Sequence, residues 1–174
     1  MSAPRVAPLP LDSPEVLNAA PVAVAGSPGG INGLATMLRN RPLYDVWRPL
    51  GRYLNGQSSI GSRERELVIL RTAWLCDGTY CWANHAVAAR TAGLGDSEIE
   101  AVKVGSNDPT WNTADAALVR AAEELRMDGD ITDRTWAQLA TSYDDAQLIE
   151  IVMLAGYFFM VASTFNALRV QPDR

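Results

Sequence analysis

The sequence predicts an all-α protein, a compact bundle of eight helices. Apolar residues recur at the three- and four-residue spacing of a helix face, first at Ile31, Leu34 and Leu38. Clusters of Gly, Asn, Asp and Pro, such as residues 105–109, separate the periodic segments. No stretch alternates apolar and polar residues between hairpin turns, as half-buried strands do. These three observations together predict helices packed on helices.

The predicted helices begin and end at residues suited to those positions. Pro42 fits the first turn of the second helix, because its missing N–H is not needed there, and Pro49 is a candidate kink. Ser62, Asp96 and Thr132 are candidate N-caps, since their side-chain oxygens accept backbone N–H groups. The eight helices are expected at about residues 31–38, 42–54, 63–75, 79–91, 97–104, 113–127, 133–140 and 144–168.

The 174 residues divide into an arm and one domain. Residues 1–30 are rich in Pro, Ala and Gly and end in the breaker Gly26-Ser27-Pro28-Gly29-Gly30. We expect them to form an extended arm that wraps over the domain surface or a neighbouring subunit. Residues 31–174 are expected to form a single all-helical domain.

Charge and hydropathy exclude several classes of partner. The net charge of −5 disfavours nucleic acid and anionic membrane surfaces, which require a concentrated basic surface. The longest apolar run, Ile151 to Ala162, is shorter than the roughly 20 residues of a bilayer span and predicts a buried core helix. Two cysteines make no secreted disulfide framework, and no secretory leader is recognised. The expected location is the cytoplasm.

The single histidine, His85, follows Cys81 by four residues on a predicted helix. Residues at this spacing share a helix face, with Cβ atoms about 5–6 Å apart. An imidazole so placed can take and return a thiol proton, which turns a cysteine into a nucleophile near neutral pH. The same spacing is equally typical of a packed core pair.

Glu66 strengthens the functional interpretation. It shares a predicted apolar stripe with Ile69 and Leu70, whereas Arg63 and Arg65 flank that stripe toward solvent. A carboxylate on an apolar stripe must be paired, lie at the edge of the core or have a raised pKa. The alternative is a first-turn acid satisfied by an arginine such as Arg63 or Arg90.

The hairpin of the two helices places these residues in a spatial order. Mirroring positions about Asp77 sets His85 opposite residue 69, about one turn from Glu66, and sets Cys81 roughly 10 Å from Glu66. The imidazole is therefore predicted to lie between the acid and the thiol. This order suits a proton relay, made directly or through water.

No metal or cofactor is predicted. Cys76, Cys81 and His85 form Cys-x4-Cys-x3-His, which lacks the fourth ligand and the paired spacing of a structural zinc site. Phosphate-binding loops and the Gly-x-Ser-x-Gly elbow are absent from the sequence. The candidates for the pocket wall are Tyr80, Trp82, Asn84 and Tyr157. For each of the aromatic residues, ordinary core packing is a better account than a specific role in ligand binding.

Two segments resemble the carboxymuconolactone decarboxylase family, and within it the alkylhydroperoxidase D-like group. They are Arg65-Glu66-Leu67-Val68-Ile69-Leu70-Arg71 and Tyr80-Cys81-Trp82-Ala83-Asn84-His85. The resemblance implies a helical domain that assembles into dimers, trimers or hexamers. It places Glu66, Cys81 and His85 on that group's glutamate, second cysteine and histidine. Gly78 stands where the peroxidase branch has its first cysteine, and Cys76 lies two residues earlier.

Three functions follow from these residues. The first is an enzyme in which Glu66 and His85 move protons on a small organic substrate, with Cys81 as acid or nucleophile; decarboxylation, lactone opening and isomerisation are such reactions. The second is a thiol-dependent peroxidase that uses Cys81, with Cys76 as resolving thiol. The third is a non-catalytic binding or assembly relative.

Overall fold

The computed structural model describes residues 3–19 and 30–173, and within these ranges it contains nine helices and no strand. All eight predicted helices are present, and the all-α prediction is confirmed. The helices are α1 Pro14–Ala19, α2 Ile31–Met37, α3 Arg41–Gly56, α4 Ser62–Leu75, α5 Thr79–Thr91, α6 Asp96–Val104, α7 Thr113–Met127, α8 Asp133–Leu139 and α9 Asp145–Leu168.

Two of the predicted N-caps are wrong by one residue. Gly61 and Gly95 are the caps of α4 and α6, and Ser62 and Asp96 are the first helical residues. The carbonyl of Gly61 accepts the first bond of α4, from the Arg65 N–H, so the backbone starts this helix without a side-chain cap. Thr132 does cap α8, as predicted, by accepting the Thr135 N–H.

The central helix α4 positions the rest of the bundle. Every residue from Glu66 to Ala73 is buried, so α4 has no solvent-facing side over two turns. It packs against α5, α6, α7 and α9. A helix surrounded in this way is the core of the domain, and a polar group on it sits in a low-dielectric environment.

The α9 helix is long and apolar enough to cross a membrane, by length and composition alone. More than half of its most apolar window is buried inside the bundle. Leu154 and Ala162 are fully buried there. The prediction of a core helix is therefore confirmed in packing terms.

Residues 3–19 of the N-terminal arm lie on the domain surface. The Arg5 N–H donates to the Leu168 carbonyl at 3.0 Å, and the Leu9 N–H donates to the Ala35 carbonyl at 3.1 Å. The arm is not extended throughout, because residues 14–19 form α1 and bury Val16 completely. Of the predicted Gly26–Gly30 breaker, all but Gly30 lies outside the described residues; Gly30 has φ 101°, which favours glycine.

The side chain of Asp173 joins the C-terminal tail to the helical bundle by hydrogen bonds. Its carboxylate accepts the backbone N–H groups of Gly30 at 2.6 Å and Asn32 at 2.8 Å. It also accepts the Tyr80 hydroxyl at 3.1 Å. One side chain therefore joins the start of α2 to the first turn of α5, one residue before Cys81.

Candidate active site

Glu66 and His85 form a hydrogen-bonded pair between α4 and α5. The His85 Nδ1 lies 2.8 Å from Glu66 Oε2. Because a carboxylate only accepts, Nδ1 carries the proton and donates it to Glu66. The predicted contact between these two residues is confirmed.

The His85 ring is fixed on one side and open on the other. Its edge-to-face contact with Phe158 has ring centroids 4.8 Å apart. With Nδ1 held by Glu66, Nε2 is the remaining nitrogen, and it forms no hydrogen bond with any residue in the described ranges. The side chain is 18% exposed, so part of it is in contact with solvent. In the neutral imidazole, Nε2 holds the lone pair that accepts a proton.

The Arg65 side chain is mostly buried beside Glu66, and the prediction that it faces solvent is wrong. It is only 14% exposed, and its Nε lies 3.8 Å from Glu66 Oε1. This Nε is buried and has no hydrogen-bond partner within the described part of the chain. A cation therefore stands beside the carboxylate, at a distance longer than a hydrogen bond. The sequence pattern does not indicate this contact, because the position of a long, flexible side chain is not encoded by helix spacing.

The two arginines considered as partners for Glu66 are occupied elsewhere. Arg63 binds Asp115 at 2.9 Å and Glu98 at 2.5 Å, which links the starts of α4, α6 and α7. Arg90 binds Asp96 at 2.8 Å on the surface. Glu66 is thus an acid whose hydrogen-bond partner is the histidine.

Cys81 is separated from the proton-transferring pair by its environment. It is 3% exposed, and no hydrogen bond joins it to His85. Burial raises the pKa of its thiol to about 12, and the nearby charge of Cys76 adds to the rise. The thiol is therefore uncharged at neutral pH, unlike the low-pKa cysteines that act as nucleophiles.

Cys76 lies in the turn between α4 and α5, and both cysteines are free thiols. Burial raises the pKa of Cys76, and the Arg126 guanidinium partly opposes that rise. Cys76 is the C-cap of α4 and Cys81 lies in the first turn of α5, so one short turn separates the two cysteines in sequence. Neither thiol is activated in this state.

Gly78 occupies a tight position at the N-terminus of α5. A Cβ built there would lie 3.0 Å from Ala162 Cβ and 3.1 Å from the Ala73 carbonyl oxygen. A cysteine could enter this position only if α5 and α9 moved apart. Packing between these helices thus accounts for a residue without a side chain at this point.

Two of the candidate wall residues, Tyr80 and Asn84, lie one helical turn apart on α5. The Tyr80 hydroxyl is buried and accepts the Gly33 N–H at 2.8 Å while it donates its proton to Asp173. Burial raises the pKa of Tyr80, and the half-buried Asn84 amide acts weakly in the opposite direction. An amide has two N–H donors, so Asn84 can use one for Tyr80 and keep a second for another partner.

The other two wall candidates lie on different sides of the bundle. Trp82 packs against Trp74, with ring centroids 5.3 Å apart. Tyr157 packs edge-on against Phe158, and its charge interaction with Cys81 places it near that thiol. The Tyr157 hydroxyl itself points to Gly51 of α3, where an added Cβ would overlap it.

No cluster of three or more His, Cys, Asp or Glu side chains suited to a metal ion occurs in residues 3–19 and 30–173. The chemistry available from the described residues is proton transfer by Glu66 and His85, next to two uncharged thiols.

Comparisons with known proteins agree with this fold. Residues 41–124 match the model of the carboxymuconolactone decarboxylase family, and this range contains Glu66, Cys81 and His85. No curated protein matches the chain in sequence.

Several solved structures share the fold at low sequence identity. A peroxidase-related protein from Silicibacter sp. TM1040 has a TM-score of 0.79 and 17% identity, over 99% of this chain and 91% of that one. A protein of unknown function from Agrobacterium tumefaciens, described as an AhpD candidate in antioxidant defence, has a TM-score of 0.73 and 16% identity, over 79% and 95% of the two chains.

The debrominase Bmp8, bound to 2,3,4-tribromopyrrole in a cysteine-to-alanine variant, has a TM-score of 0.76 and 17% identity, over 97% of this chain and 91% of that one. At these identities the likeness establishes the fold, whereas reaction and substrate differ among proteins that share a fold. Residues 41–124 thus resemble the carboxymuconolactone decarboxylase family, and the described chain has the fold of solved alkylhydroperoxidase D-like proteins.

Proposed function

We propose that the chain is an enzyme that transfers protons on a small organic substrate, with Glu66 and His85 as its acid–base pair. The observation that supports this most is the 2.8 Å bond from Nδ1 to Glu66, which leaves Nε2 of a partly exposed ring without a partner among the described residues. A histidine oriented by a carboxylate, with its second nitrogen open, is a common arrangement for general acid–base catalysis.

In the proposed reaction, Nε2 takes a proton from a carbon or hydroxyl next to a carbonyl group. Glu66 stabilises the imidazolium that forms, because its carboxylate accepts the Nδ1–H throughout. The same Nε2–H then returns the proton to another atom of the substrate. Isomerisation and eliminative lactone opening follow this sequence of proton uptake and return. Decarboxylation uses only the return step, because the C–C bond breaks, CO2 leaves with its carboxylate oxygens, and the enolate that remains takes a proton from a protonated Nε2–H.

The developing enolate requires a hydrogen-bond donor. The Tyr80 hydroxyl is already engaged by Gly33 and Asp173, which makes it a structural group in this proposal. Asn84, one residue before His85, is the donor we propose for the substrate side, through its second N–H. Cys81 contributes an uncharged S–H at the inner end of the site, since its pKa of about 12 keeps it protonated.

Solvent deuterium exchange tests this function even while the product is unidentified. Small β-keto acids, unsaturated lactone acids and their saturated analogues are incubated with the protein in D2O and followed by proton NMR. The wild type is expected to exchange a C–H next to the carbonyl of at least one compound. His85→Gln should slow that exchange by about 100-fold or more, as expected when a general base is lost.

Glu66→Gln should also slow the exchange, because an amide stabilises the imidazolium less than a carboxylate does. The matched control is Glu100→Gln, an exposed carboxylate that pairs with Lys103 on the surface of α6. This control should exchange at the wild-type rate. Equal rates in His85→Gln, Glu66→Gln and wild type would refute the proposal and favour a non-catalytic role.

A thiol-dependent peroxidase is the second candidate, and it is favoured by the position of Cys76 in the turn directly before the helix that carries Cys81. The raised pKa values of both thiols count against it in the resting state. Counting thiols before and after one equivalent of peroxide separates the two functions. Rapid loss of both thiols, reversed by dithiothreitol, supports the peroxidase; two inert thiols eliminate it. Assembly into a homo-oligomer and a cytoplasmic location stay predictions.

A further inference from the structure

A cavity of about 430 Å³ lies between α3, α4, α7 and α9. This volume is within the range of roughly 300–1,000 Å³ typical of small-molecule sites. Neither Glu66 nor His85 lines it, whereas Tyr157 does. We name it the α9 groove; its lining residues are Leu50, Thr72, Ala122, Leu125, Arg126, Val152, Met153, Ala155, Gly156, Tyr157, Phe159 and Met160.

The wall of the α9 groove is almost entirely apolar. Met153 and Met160 are each close to half exposed, so their side chains are available to an occupant. Gly156 lies between them on the same face of α9, and a Cβ built there meets no heavy atom within 4 Å. The helix backbone therefore forms a flat floor that a ring can approach, flanked by two flexible thioethers.

Arg126 is the one charged residue in the lining of this groove. Its guanidinium lies 4.8 Å from the centroid of the Phe159 ring, a cation–π distance that holds it at the rim. It forms no ion pair with any carboxylate of the described ranges, although Asp128 and Asp130 follow closely in sequence. The groove thus offers an apolar surface and one unneutralised positive charge.

We propose that the α9 groove binds an organic anion with a flat apolar body, such as an aromatic carboxylate. The carboxylate would pair with Arg126, which presents a planar fork of donors suited to it. The ring would lie over Gly156, between Met153 and Met160. This site is independent of the proposed proton transfer, because Arg126 takes no part in that transfer and His85 does not line the groove.

Calorimetric titration with 2-naphthoate and its neutral analogue 2-naphthamide tests the proposal. The wild type is expected to bind 2-naphthoate about tenfold or more tightly than 2-naphthamide, since a charged hydrogen-bonded pair is available only to the anion. Arg126→Gln should weaken 2-naphthoate to the level of the amide and leave the amide unchanged. The matched control, Arg134→Gln, alters an exposed arginine on α8 and should bind both probes as the wild type does.

Gly156→Leu fills the floor and should abolish binding of both probes, whereas His85→Gln should leave both unchanged. Circular dichroism shows whether each variant keeps the fold of the wild type, and sedimentation shows whether it keeps the association state. Absence of 2-naphthoate binding to the wild type, equal affinity for the two probes, or unchanged binding in Gly156→Leu would each overturn the proposal. Dissociation of a wild-type oligomer by Gly156→Leu would identify the groove as an interface between copies and overturn it as well.

Discussion

The imidazole of His85 is oriented by two neighbours, the Glu66 carboxylate and the edge-on Phe158 ring. Both neighbours lie on helices of the core, α4 and α9, so the ring is held by rigid elements and not by loops. A side chain fixed in this way meets its substrate without first losing rotational freedom. The open nitrogen is thereby presented in one direction.

The buried thiol of Cys81 predicts a loss of stability in alkali. Its pKa is about 12 in the folded chain and near 9 when exposed, so between these values the folded state binds more protons than the unfolded state. The free energy of unfolding therefore falls as pH rises from about 9 toward 12. Urea unfolding of Cys81→Ala should show a shallower fall over pH 9–11 than the wild type.

The control for this experiment is Cys76→Ala, which removes the half-buried thiol whose pKa is also raised. Its slope should lie between those of the wild type and Cys81→Ala, because burial raises the pKa of the more exposed Cys76 thiol less. Identical slopes for wild type and Cys81→Ala would contradict the burial effect on Cys81. The slopes of unfolding free energy against pH are compared because the packing lost with the sulfur lowers the stability of a variant equally at every pH.

The contact between Glu66 and His85 was predictable from the sequence, whereas the side chains that surround these residues were not. Helix spacing and a hairpin at Asp77 are enough to bring one acid beside one imidazole. The burial of Arg65 depends on where a flexible side chain folds, which a local pattern does not encode. The missing bond between Cys81 and His85 has a similar origin: a shared helix face limits the distance but does not orient the groups.

The junction between α5 and α9 depends on the small residues Gly78 and Ala162. A Cβ at Gly78 would lie 3.0 Å from Ala162 Cβ, closer than ordinary van der Waals contact. Gly78 has φ −78°, so the backbone itself accepts any residue there. Sterics across the junction, and not backbone strain, explain the glycine.

We therefore expect Gly78→Ala to lower the free energy of unfolding by about 1–3 kcal/mol through overpacking. Adding Ala162→Gly to the Gly78→Ala variant should relieve part of the overpacking. The double variant should therefore be more stable than the sum of the two single effects predicts. Urea unfolding of the two single variants and the double variant completes the cycle. Strict additivity would show that the two positions are not in contact.

Among the elements, long periodic helices were predicted well and short or glycine-capped ends were not. The bounds of α5 and α7 agree with the prediction to the residue. The six-residue α1 was missed because a segment rich in proline favours an extended chain, and tertiary burial of Val16 outweighs that preference. The α9 groove combines residues of four helices far apart in sequence, so no local pattern indicates it.

At the scale of the whole molecule, the ends of the described chain converge on α2. The arm bonds to the Ala35 carbonyl, and Asp173 bonds to Gly30 and Asn32. A second apolar cluster fills the space between arm, α2 and α3, and it includes Val16, Leu34 and Tyr44. This part of the molecule is thus stabilised by segments about 140 residues apart in sequence.

Removal of the Asp173 carboxylate tests how much its hydrogen bonds to Gly30 and Asn32 stabilise this end of the bundle. Asp173→Ala leaves two backbone N–H groups without their acceptor and should lower stability by about 1–3 kcal/mol. Hydrogen exchange should report loss of amide protection in α2 before any change in α4. Exposed Asp12→Ala is the control and should leave protection unchanged. Equal protection of α2 in wild type and Asp173→Ala would show that the tail contributes nothing to this end of the bundle.

His85 is the one histidine of the sequence and is bonded to Glu66, so its NMR signals report on the candidate site directly. The two ring-carbon protons of a lone imidazole give isolated resonances that need no sequential assignment. Their movement with acidity, or on adding a compound, reads the occupancy and protonation of this position alone. The histidines of an oligohistidine purification tag would overlap with these resonances. The protein should therefore be purified with a tag that contains no histidine.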